Sequence, residues 1–175
     1  MPRLKHKKTR SRSVRTAKSV TRSRPPTSAA SDTLQMKTPA GLITITTAKE
    51  HHTALRKDLT QFLKGKKPNL RRYPTPTGTP FQRKCWEACR TIPYGQTRTY
   101  AWLAEQAGSP RAVRAAGQAM RRNPMPVVVP CHRVVGAGGW IGGFAGDASP
   151  TGATVGLKKY LLGIEVKPNS RRPTA

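Results

Sequence analysis

The stretch from Thr99 to Arg122 reads TYAWLAEQAGSPRAVRAAGQAMRR and predicts two short helices joined by a tight turn. The first helix spans about 99–107, and Gly108 follows it in a position where glycine commonly ends a helix. Ser109-Pro110 then caps a second helix that runs to about Arg122. Two short helices connected in this way form a helix-turn-helix pattern, whose second helix is the usual DNA-contacting element.

The second of these helices carries two stripes of different chemistry. Its apolar stripe runs from Val113 to Met120 and contains mostly small side chains. Its polar stripe is mostly cationic and consists of Arg111, Arg114, Gln118 and Arg121. Such a stripe fits a nucleic-acid contact, but a charged helix face is more often simply solvated. Both interpretations therefore stay open at this point.

Downstream of the helix pair, residues 124–135 read PMPVVVPCHRVV. Three valines between prolines predict a short buried strand, and Pro130 ends it because proline lacks the N–H that a further ladder bond needs. Cys131 therefore falls at a bend, next to His132 and close to arginines. A neighbouring base or a cationic field raises the thiolate fraction of a cysteine, whose ordinary pKa is about 8.5. Most buried cysteines are nevertheless inert, so this pattern alone leaves catalysis undecided.

The other two cysteines fit a structural role. Cys85 and Cys89 lie four residues apart on a predicted helix, with Cys85 on the face toward the core. The three cysteines lack the paired close spacing of a zinc site, so no metal is expected. Their odd number argues against a disulfide framework and favours a reducing compartment.

The sequence before the helix pair predicts a small α/β portion, a linker and the start of a larger domain. Residues 41–47 alternate in hydrophobicity as a strand does, and helical spacing over 50–63 ends at Gly65. Thr79-Pro80-Phe81-Gln82 has the composition of a capping box and opens a further helix. The predicted organisation is an α/β portion over 39–64, a linker rich in Pro, Thr, Lys and Arg over 65–78, and the main domain over 79–166.

The charge of the chain is concentrated at its start. The whole chain has 33 Lys and Arg against 7 Asp and Glu, a net charge of +26. Residues 1–24 contain ten of these cations, no acid and few apolar side chains, so we expect a disordered basic arm over 1–38, and likewise a disordered tail over 167–175. A field of this sign attracts polyanions, which makes nucleic acid the default partner. The arm fits a nonspecific DNA tether, a nuclear address or a solvated tail with no partner.

Membrane insertion and export are not expected from the sequence. No apolar run approaches the ~18 residues that a membrane span needs. The basic N-terminus lacks the apolar stretch of a secretory signal. The expected location is therefore the cytoplasm and nucleoid, or the nucleus in a eukaryotic host.

Five motifs between Gly78 and Glu165 resemble those of the O6-alkylguanine-DNA alkyltransferase family. They span about half of the chain in the family's order and spacing, and the motif around Cys131 is highly specific. The motifs are Gly78-Thr79-Pro80-Phe81-Gln82, Ile92-Pro93-Tyr94-Gly95, Arg121-Arg122-Asn123-Pro124, Pro130-Cys131-His132-Arg133-Val134 and Leu161-Leu162-Gly163-Ile164-Glu165.

This resemblance implies both a fold class and a function. The fold class is α/β plus mainly α: a shortened N-terminal ribonuclease-H-like α/β portion, then a C-terminal winged helix-turn-helix-like alkyltransferase domain. The function is that of a methylated-DNA–[protein]-cysteine S-methyltransferase, which works once, as a monomer and without a cofactor. Such a protein flips O6-alkylguanine out of double-stranded DNA and moves the alkyl group irreversibly onto its own cysteine.

The resemblance also implies a catalytic role for four residues. Cys131 would be the nucleophile, and His132 would take its proton through a water. Glu165 would orient His132, which completes the usual order of nucleophile, base and orienting group. Asn123 would brace the helix pair against the segment that carries the cysteine.

Further residues are implied in DNA and base recognition. Arg114 would enter the stack where the base has left, and Tyr100 would bear on the flipped nucleotide and its phosphate. The remaining implied contacts are Arg111, Gln118 and Arg121 for DNA, and Phe144, Ala145, Pro126 and Val134 for the pocket of the base and alkyl group.

Alternatives remain for residues and function alike. Tyr100 fits a core position, His132 a backbone hydrogen bond, and Glu165 a helix end. One alternative function is a noncatalytic sensor of alkylated bases, although such relatives replace the cysteine that this chain keeps. Another is a basic nucleoid or regulatory helix-turn-helix protein, which gives no reason for the residues around Cys131. An unusual insertion over 147–152 leaves the preferred size of the alkyl group open.

Overall fold

The computed structural model describes residues 31–144 and 153–166. Within those ranges it contains five α-helices and two small two-stranded sheets, which confirms the expected mixture of helix and sheet. No helix of the described ranges is long and apolar enough to cross a membrane. The predicted tail over 167–175 and the insertion over 147–152 lie outside the described residues, as does the arm up to residue 30.

An antiparallel hairpin of strands β1 (Ser31–Thr38) and β2 (Gly41–Ala48) opens the described chain. Leu34 pairs with Ile45, and Ile43 is buried with them. The expectation that the disordered arm extends to residue 38 is therefore wrong. Apolar side chains at period two give residues 31–38 a face that packs on the core once a partner strand is present.

The first helix, α1 (His52–Leu63), follows the hairpin after a short 3₁₀ turn. Leu55, Leu59 and Phe62 are buried along one face, as helical spacing predicts. Gly65 follows its end with a φ of +77°, a conformation that favours glycine. The helix predicted over 50–63 is confirmed to within two residues at its start.

The second helix, α2 (Pro80–Thr91), begins with the predicted capping box. Thr79 Oγ1 accepts a hydrogen bond from the Gln82 N–H at 3.3 Å, and Gln82 Oε1 accepts one from the Thr79 N–H at 2.9 Å. These two bonds satisfy amide groups that a helix start leaves unpaired. Cys85 and Cys89 are both fully buried on this helix, as their structural interpretation requires.

Within the predicted linker over 65–78, residues 70–75 are hydrogen-bonded to α2, which corrects the expectation of a loose linker. Residues 70–72 form a 3₁₀ turn, and Tyr73 after it is only 3% exposed. The Arg90 guanidinium donates hydrogen bonds to the carbonyls of Arg71 and Tyr73, both at 2.8 Å, and to Thr75 Oγ1 at 2.9 Å. A segment rich in Pro and cations can thus be ordered when one arginine satisfies its backbone carbonyls.

The two helices predicted around Gly108 are present as α3 (Tyr100–Gln106) and α4 (Val113–Arg121), which pack against each other. Residues 109–112 form a turn closed by a 2.8 Å bond from the Ala112 N–H to the Ser109 carbonyl. The second helix therefore starts later than the Ser109-Pro110 cap predicts. This shift leaves Val113 exposed at the first helical position instead of on the apolar face.

The buried apolar side chains of the N-terminal portion and of the main domain form one continuous cluster. The last helix, α5 (Ala153–Val166), contacts both β2 and α1. A second small sheet joins β3 (Arg98–Thr99) in parallel to β4 (Val134–Val135). The Thr46 N–H of β2 also donates to the Pro124 carbonyl at 2.8 Å. The hairpin is therefore part of the support beneath residues 123–135.

Replacement of Arg90 by Met should lower the free energy of unfolding by about 2–4 kcal/mol, because several carbonyls of residues 70–73 lose their donor. Urea denaturation would measure the change. The control is Arg83→Met, since Arg83 lies exposed on the same helix and only faces Glu87 at 3.9 Å. Its loss should cost less than about 0.5 kcal/mol. Equal effects of both substitutions would contradict the proposed anchoring.

Candidate active site

The segment that carries the cysteine, residues 123–135, is a series of turns before it enters β4. The strand predicted for 127–129 is absent from this described segment. Val127 has a φ of 74°, a strained conformation for a β-branched residue. The Val129 N–H closes a turn on the Met125 carbonyl at 2.9 Å. Prolines at 124, 126 and 130 cannot donate to a ladder, so the three valines are buried without forming a strand.

Asn123 joins the end of α4 to this segment through three hydrogen bonds. Its Nδ2 donates to the Val129 carbonyl at 2.9 Å and to the Cys131 Sγ at 3.1 Å. Its Oδ1 accepts from the Met125 N–H at 3.0 Å. The side chain thus fixes the turn and touches the sulfur directly.

Cys131 begins a 3₁₀ turn over Cys131–Arg133 and is only 4% exposed. Burial raises the pKa of the Cys131 thiol. The hydrogen bond from Asn123, the ammonium of Lys158 and nearby backbone N–H groups oppose that rise without cancelling it. The pKa shift is upward, so the expectation that neighbouring cations enlarge the resting thiolate fraction is not met. A base is needed to remove the proton.

His132 and Arg133 both converge on one buried carboxylate. The His132 Nε2 lies 2.8 Å from Glu165 Oε1. Arg133 donates from Nε and Nη2 to the same carboxylate at 2.8–3.0 Å. The Gly95 N–H also donates to Glu165 Oε2 at 3.0 Å. Both Glu165 and His132 have fully buried side chains, so every one of these bonds is formed away from water.

The charges of this cluster follow from burial and pairing. Burial by itself raises the pKa of Glu165, but hydrogen bonds from His132 and Arg133 and the positive charge of Arg133 lower it to about 2. Burial lowers the pKa of His132, and Arg133 adds to that effect against the attraction of Glu165. His132 is therefore a neutral imidazole near pH 7. Its Nδ1 is buried without a hydrogen-bond partner among the described residues, which leaves one ring nitrogen free to accept a proton.

Lys158 of α5 is a buried cation close to the cysteine. Its side chain is fully buried, and its Nζ donates to the Val134 carbonyl at 2.6 Å. The same Nζ lies 5.7 Å from the centre of the Tyr100 ring. Burial lowers the pKa of Lys158, and its ammonium lowers the pKa of Cys131. The lysine therefore favours a negative charge on sulfur when one forms.

A cavity of about 210 Å³ opens beside the Cys131 sulfur. Tyr100 of α3 forms part of its wall, and burial raises the pKa of this phenol to about 12. The hydroxyl therefore stays protonated at neutral pH and can donate a hydrogen bond. The other lining residues are Gly117, Gln118, Met120 and Arg121 of α4, and Trp140, Gly142, Gly143 and Phe144 of the following loop.

The residues singled out from the sequence divide into three groups in the structure. Cys131, Tyr100, Gln118, Arg121 and Phe144 meet at the cavity, with Asn123, His132 and Glu165 packed behind the cysteine. Arg114 is exposed on α4 ahead of the cavity, whereas Arg111 is exposed in the turn before α4 and not on the helix stripe where the sequence placed it. Pro126 and Val134 are buried but do not line the cavity, because the turns of the segment direct them into the core. Ala145 lies outside the described residues.

Three residues of this region have no predicted role from the sequence. Arg133 sits inside the most specific motif, yet only the structure shows its two bonds to Glu165. Lys158 shares a helix face with Leu161 and Glu165. A lysine among apolar positions of a predicted helix face could have indicated a buried cation. Trp140 left no such signal, because the resemblance places its loop at the pocket through Phe144 and Ala145 and assigns no role to the indole.

A family profile described as the DNA binding domain of 6-O-methylguanine DNA methyltransferase matches residues 80–167, half of the chain. Four of the five motifs fall inside this matched region, and the first motif, from Gly78 to Gln82, overlaps its start. The chain belongs to the 6-O-methylguanine DNA methyltransferase family.

Curated relatives match about half of the chain. The constitutive methylated-DNA–protein-cysteine methyltransferase of Bacillus subtilis is 50% identical over 88 residues, which are 50% of this chain and 50% of the relative. The methylated-DNA–protein-cysteine methyltransferase of Methanosarcina acetivorans is 46% identical over 90 residues, 51% of this chain and 53% of the relative. The matched part thus spans about half the length of these curated relatives.

Similarity of structure extends beyond the matched half. The crystal structure of Mycobacterium tuberculosis O6-methylguanine methyltransferase has a TM-score of 0.61 at 29% identity, over 79% of this chain and 95% of that one. The M. tuberculosis OGT in complex with DNA has a TM-score of 0.59 at 29% identity, over 77% of this chain and 92% of that one. The likeness to these two structures therefore covers more of the chain than the family profile does.

Glu165→Gln should lower the free energy of unfolding more at neutral pH than at acidic pH. The pKa of Glu165 is lowered from an ordinary 4.5 to about 2, so its ion pairing contributes up to about 3 kcal/mol above pH 4.5. That contribution is lost as the pH falls through the folded pKa. Unfolding free energies at pH 7, 5 and 3 should show a gap between wild type and variant that shrinks toward acid.

The matched control is Glu87→Gln, which removes an exposed glutamate of α2 whose surface pair with Arg83 is 3.9 Å long. This variant should track the wild type within about 0.5 kcal/mol at every pH. A gap between wild type and Glu165→Gln that stays constant from pH 7 to pH 3 would argue against the ionised, buried carboxylate.

Proposed function

We propose that this chain repairs DNA by moving an alkyl group from the O6 atom of guanine onto its own Cys131, once and irreversibly. The observation that carries the proposal is the contact of Asn123 with a buried sulfur at the wall of a cavity, with a neutral histidine and an ionised glutamate behind it. Family membership and the names of the curated relatives support the same reaction. The protein would thus be a stoichiometric cysteine S-methyltransferase.

The chemistry is a displacement at the alkyl carbon. His132 Nδ1 takes the thiol proton through a bridging water, and the resulting thiolate attacks the carbon bound to O6. The new carbon–sulfur bond forms as the carbon–oxygen bond breaks, and guanine leaves with the bonding electron pair. The proton held by His132 balances the charge on the departing base. The ammonium of Lys158 stabilises the thiolate, and the Tyr100 hydroxyl can donate to the base in the cavity.

The α4 face and the turn before it supply the DNA contact in this proposal. Arg111, Arg114, Gln118 and Arg121 are all exposed, and the last two also line the cavity. Arg114 lies one helical turn before Gly117 and Gln118, so it can reach the base stack while an extruded nucleotide enters the cavity. The small residues of α4 suit close approach to a minor groove. The structure of the M. tuberculosis relative in complex with DNA supports DNA as the partner.

We also infer the finer architecture that the sequence resemblance implies. Residues 79–166 would form the winged helix-turn-helix-like domain, with α3 and α4 as its helix pair. The portion before it would be a shortened ribonuclease-H-like unit, here the hairpin and α1. Since one chain supplies Cys131, His132, Glu165 and Tyr100, the protein is proposed to act as a monomer on the DNA of its nucleoid or nucleus.

The direct test is the mass of the protein after incubation with a duplex that contains O6-methylguanine. Wild type should gain one methyl group, located on the peptide with Cys131. Cys131→Ser should gain none yet still bind DNA within a few-fold, because the sulfur makes few DNA contacts. Cys85→Ser is the matched control, since Cys85 is a buried thiol of α2 outside the cavity, and it should still be methylated at Cys131. A wild-type protein that gains no methyl group would contradict the proposed reaction.

Arg114→Ala should slow transfer from duplex DNA about 10- to 100-fold, because an inserted cation no longer offsets the few kcal/mol of base extrusion. Transfer from free O6-benzylguanine should stay nearly unchanged, since a free base needs no extrusion. Single-turnover kinetics on both substrates would measure this difference. Arg83→Ala, an exposed arginine of α2, should leave both rates unchanged. Equal losses on both substrates would assign Arg114 to the fold or to the chemistry.

A further inference from the structure

Trp140 has the largest side chain among the exposed hydrophobic residues of the described ranges. It is 57% exposed, whereas Cys131 and Phe144 at the same cavity are each 4% exposed. The indole therefore forms the outer part of the cavity wall, and the cysteine lies deeper. A single exposed apolar side chain needs no explanation by itself, but this one lines the cavity that contains the cysteine.

The Trp140 indole is held in place by its own loop. The Gly136 N–H donates to the Trp140 carbonyl at 2.7 Å. A β-carbon at Gly136 would lie 2.9 Å from Cε3 of the indole, and one at Gly142 would lie 2.8 Å from Cζ3. Both distances are shorter than real contacts allow, so the two glycines permit the backbone to approach the ring. The exposed ring is thus preorganised by the loop rather than freely rotating.

The cavity beside Trp140 has room for a flat ring. The α4 part of its wall includes Gly117, where only the Tyr100 ring, at 4.0 Å, would touch an added β-carbon. A substrate whose alkyl carbon reaches the Cys131 sulfur must place the rest of its base nearer the opening. The indole is the aromatic surface available there, and a purine face stacks well on such a surface.

We propose that Trp140 stacks on the extruded O6-alkylguanine and so determines how tightly the site holds the base. This inference rests on the proposed function. It makes Trp140 a substrate-binding residue that acts on the purine itself, in contrast to Arg114, which acts on the duplex. The contact should therefore matter equally for DNA and for the free base.

Two substitutions test the stacking contact by single-turnover transfer. Trp140→Ala should reduce transfer about 5- to 100-fold from both O6-methylguanine duplex and free O6-benzylguanine, as expected for the loss of one base–aromatic stack. Trp140→Phe keeps a ring and should retain most of the rate on both. Leu42→Ala, which removes an exposed apolar side chain of β2 outside the cavity, is the control and should change neither rate. Unchanged or faster transfer by Trp140→Ala would overturn the inference.

Indole fluorescence separates this inference from the proposed reaction. In the Cys131→Ser background, O6-methylguanine duplex should quench fluorescence more than undamaged duplex, and Trp140→Phe should abolish that difference. Trp102→Phe should retain it, because Trp102 lies outside the cavity. A difference that survives in Trp140→Phe would overturn stacking. Since this readout needs no transfer, an unmethylated wild type whose Cys131→Ser form shows the quenching would refute the reaction and support the contact.

Discussion

The carboxylate of Glu165 must be satisfied inside the protein, and the arrangement of the active site depends on that requirement. It lies near the end of α5 with a fully buried side chain and accepts hydrogen bonds from Arg133, His132 and the Gly95 backbone. An unpaired charge at this depth would cost several kcal/mol, so the partners have to stay where they are. The same bonds fix the 3₁₀ turn that begins with Cys131 and set the ring of His132. The buried Glu165 carboxylate therefore fixes both the position of the Cys131 nucleophile and the orientation of His132 as its base.

The N-terminal portion contributes to the site through packing. Its hairpin donates a backbone bond from Thr46 to Pro124, at the start of the segment that carries the cysteine. Its helix places Phe62 against the His132 ring, with ring centres 5.9 Å apart. Val127 keeps its strained conformation within this surrounding structure. A short N-terminal portion is thus sufficient to hold the turns, because it shares one core with the main domain.

The sequence predicted local structure well where a single short-range signal governs it. The capping box at Thr79, the end of α1 at Gly65 and the helix pair around Gly108 all follow from neighbouring residues. Strand β1 was not predicted, because the alternation of apolar residues over 31–38 indicates a strand only when the partner strand beside it is known. The three valines before Pro130 were assigned to a strand because hydrophobicity predicts burial, and it does not predict the φ of Val127.

The site shows the same division between local and distant information. His132 and Glu165 are 33 residues apart, so their pairing came from the family resemblance and not from spacing. The contacts of Arg133, Lys158 and Trp140 depend on tertiary packing, which the sequence alone did not reveal. The pKa of the Cys131 thiol is raised, whereas the sequence suggested that it would be lowered, because desolvation outweighs the cations near Cys131. The direction of each pKa shift could therefore be found only from the fold, whereas the reactive groups could be identified from the sequence.

The central claim is that burial keeps His132 a neutral imidazole, while the hydrogen bond to Glu165 orients the ring so that Nδ1 is free to accept the thiol proton. Nitrogen-15 NMR of the imidazole ring, followed from pH 5 to pH 8, measures both tautomer and pKa directly. The expected result is a proton on Nε2, donated to Glu165, an unprotonated Nδ1 at pH 7, and a pKa below the ordinary 6.5. A protonated Nδ1 or an imidazolium at pH 7 would contradict this account, because His132 could then not act as the base for Cys131.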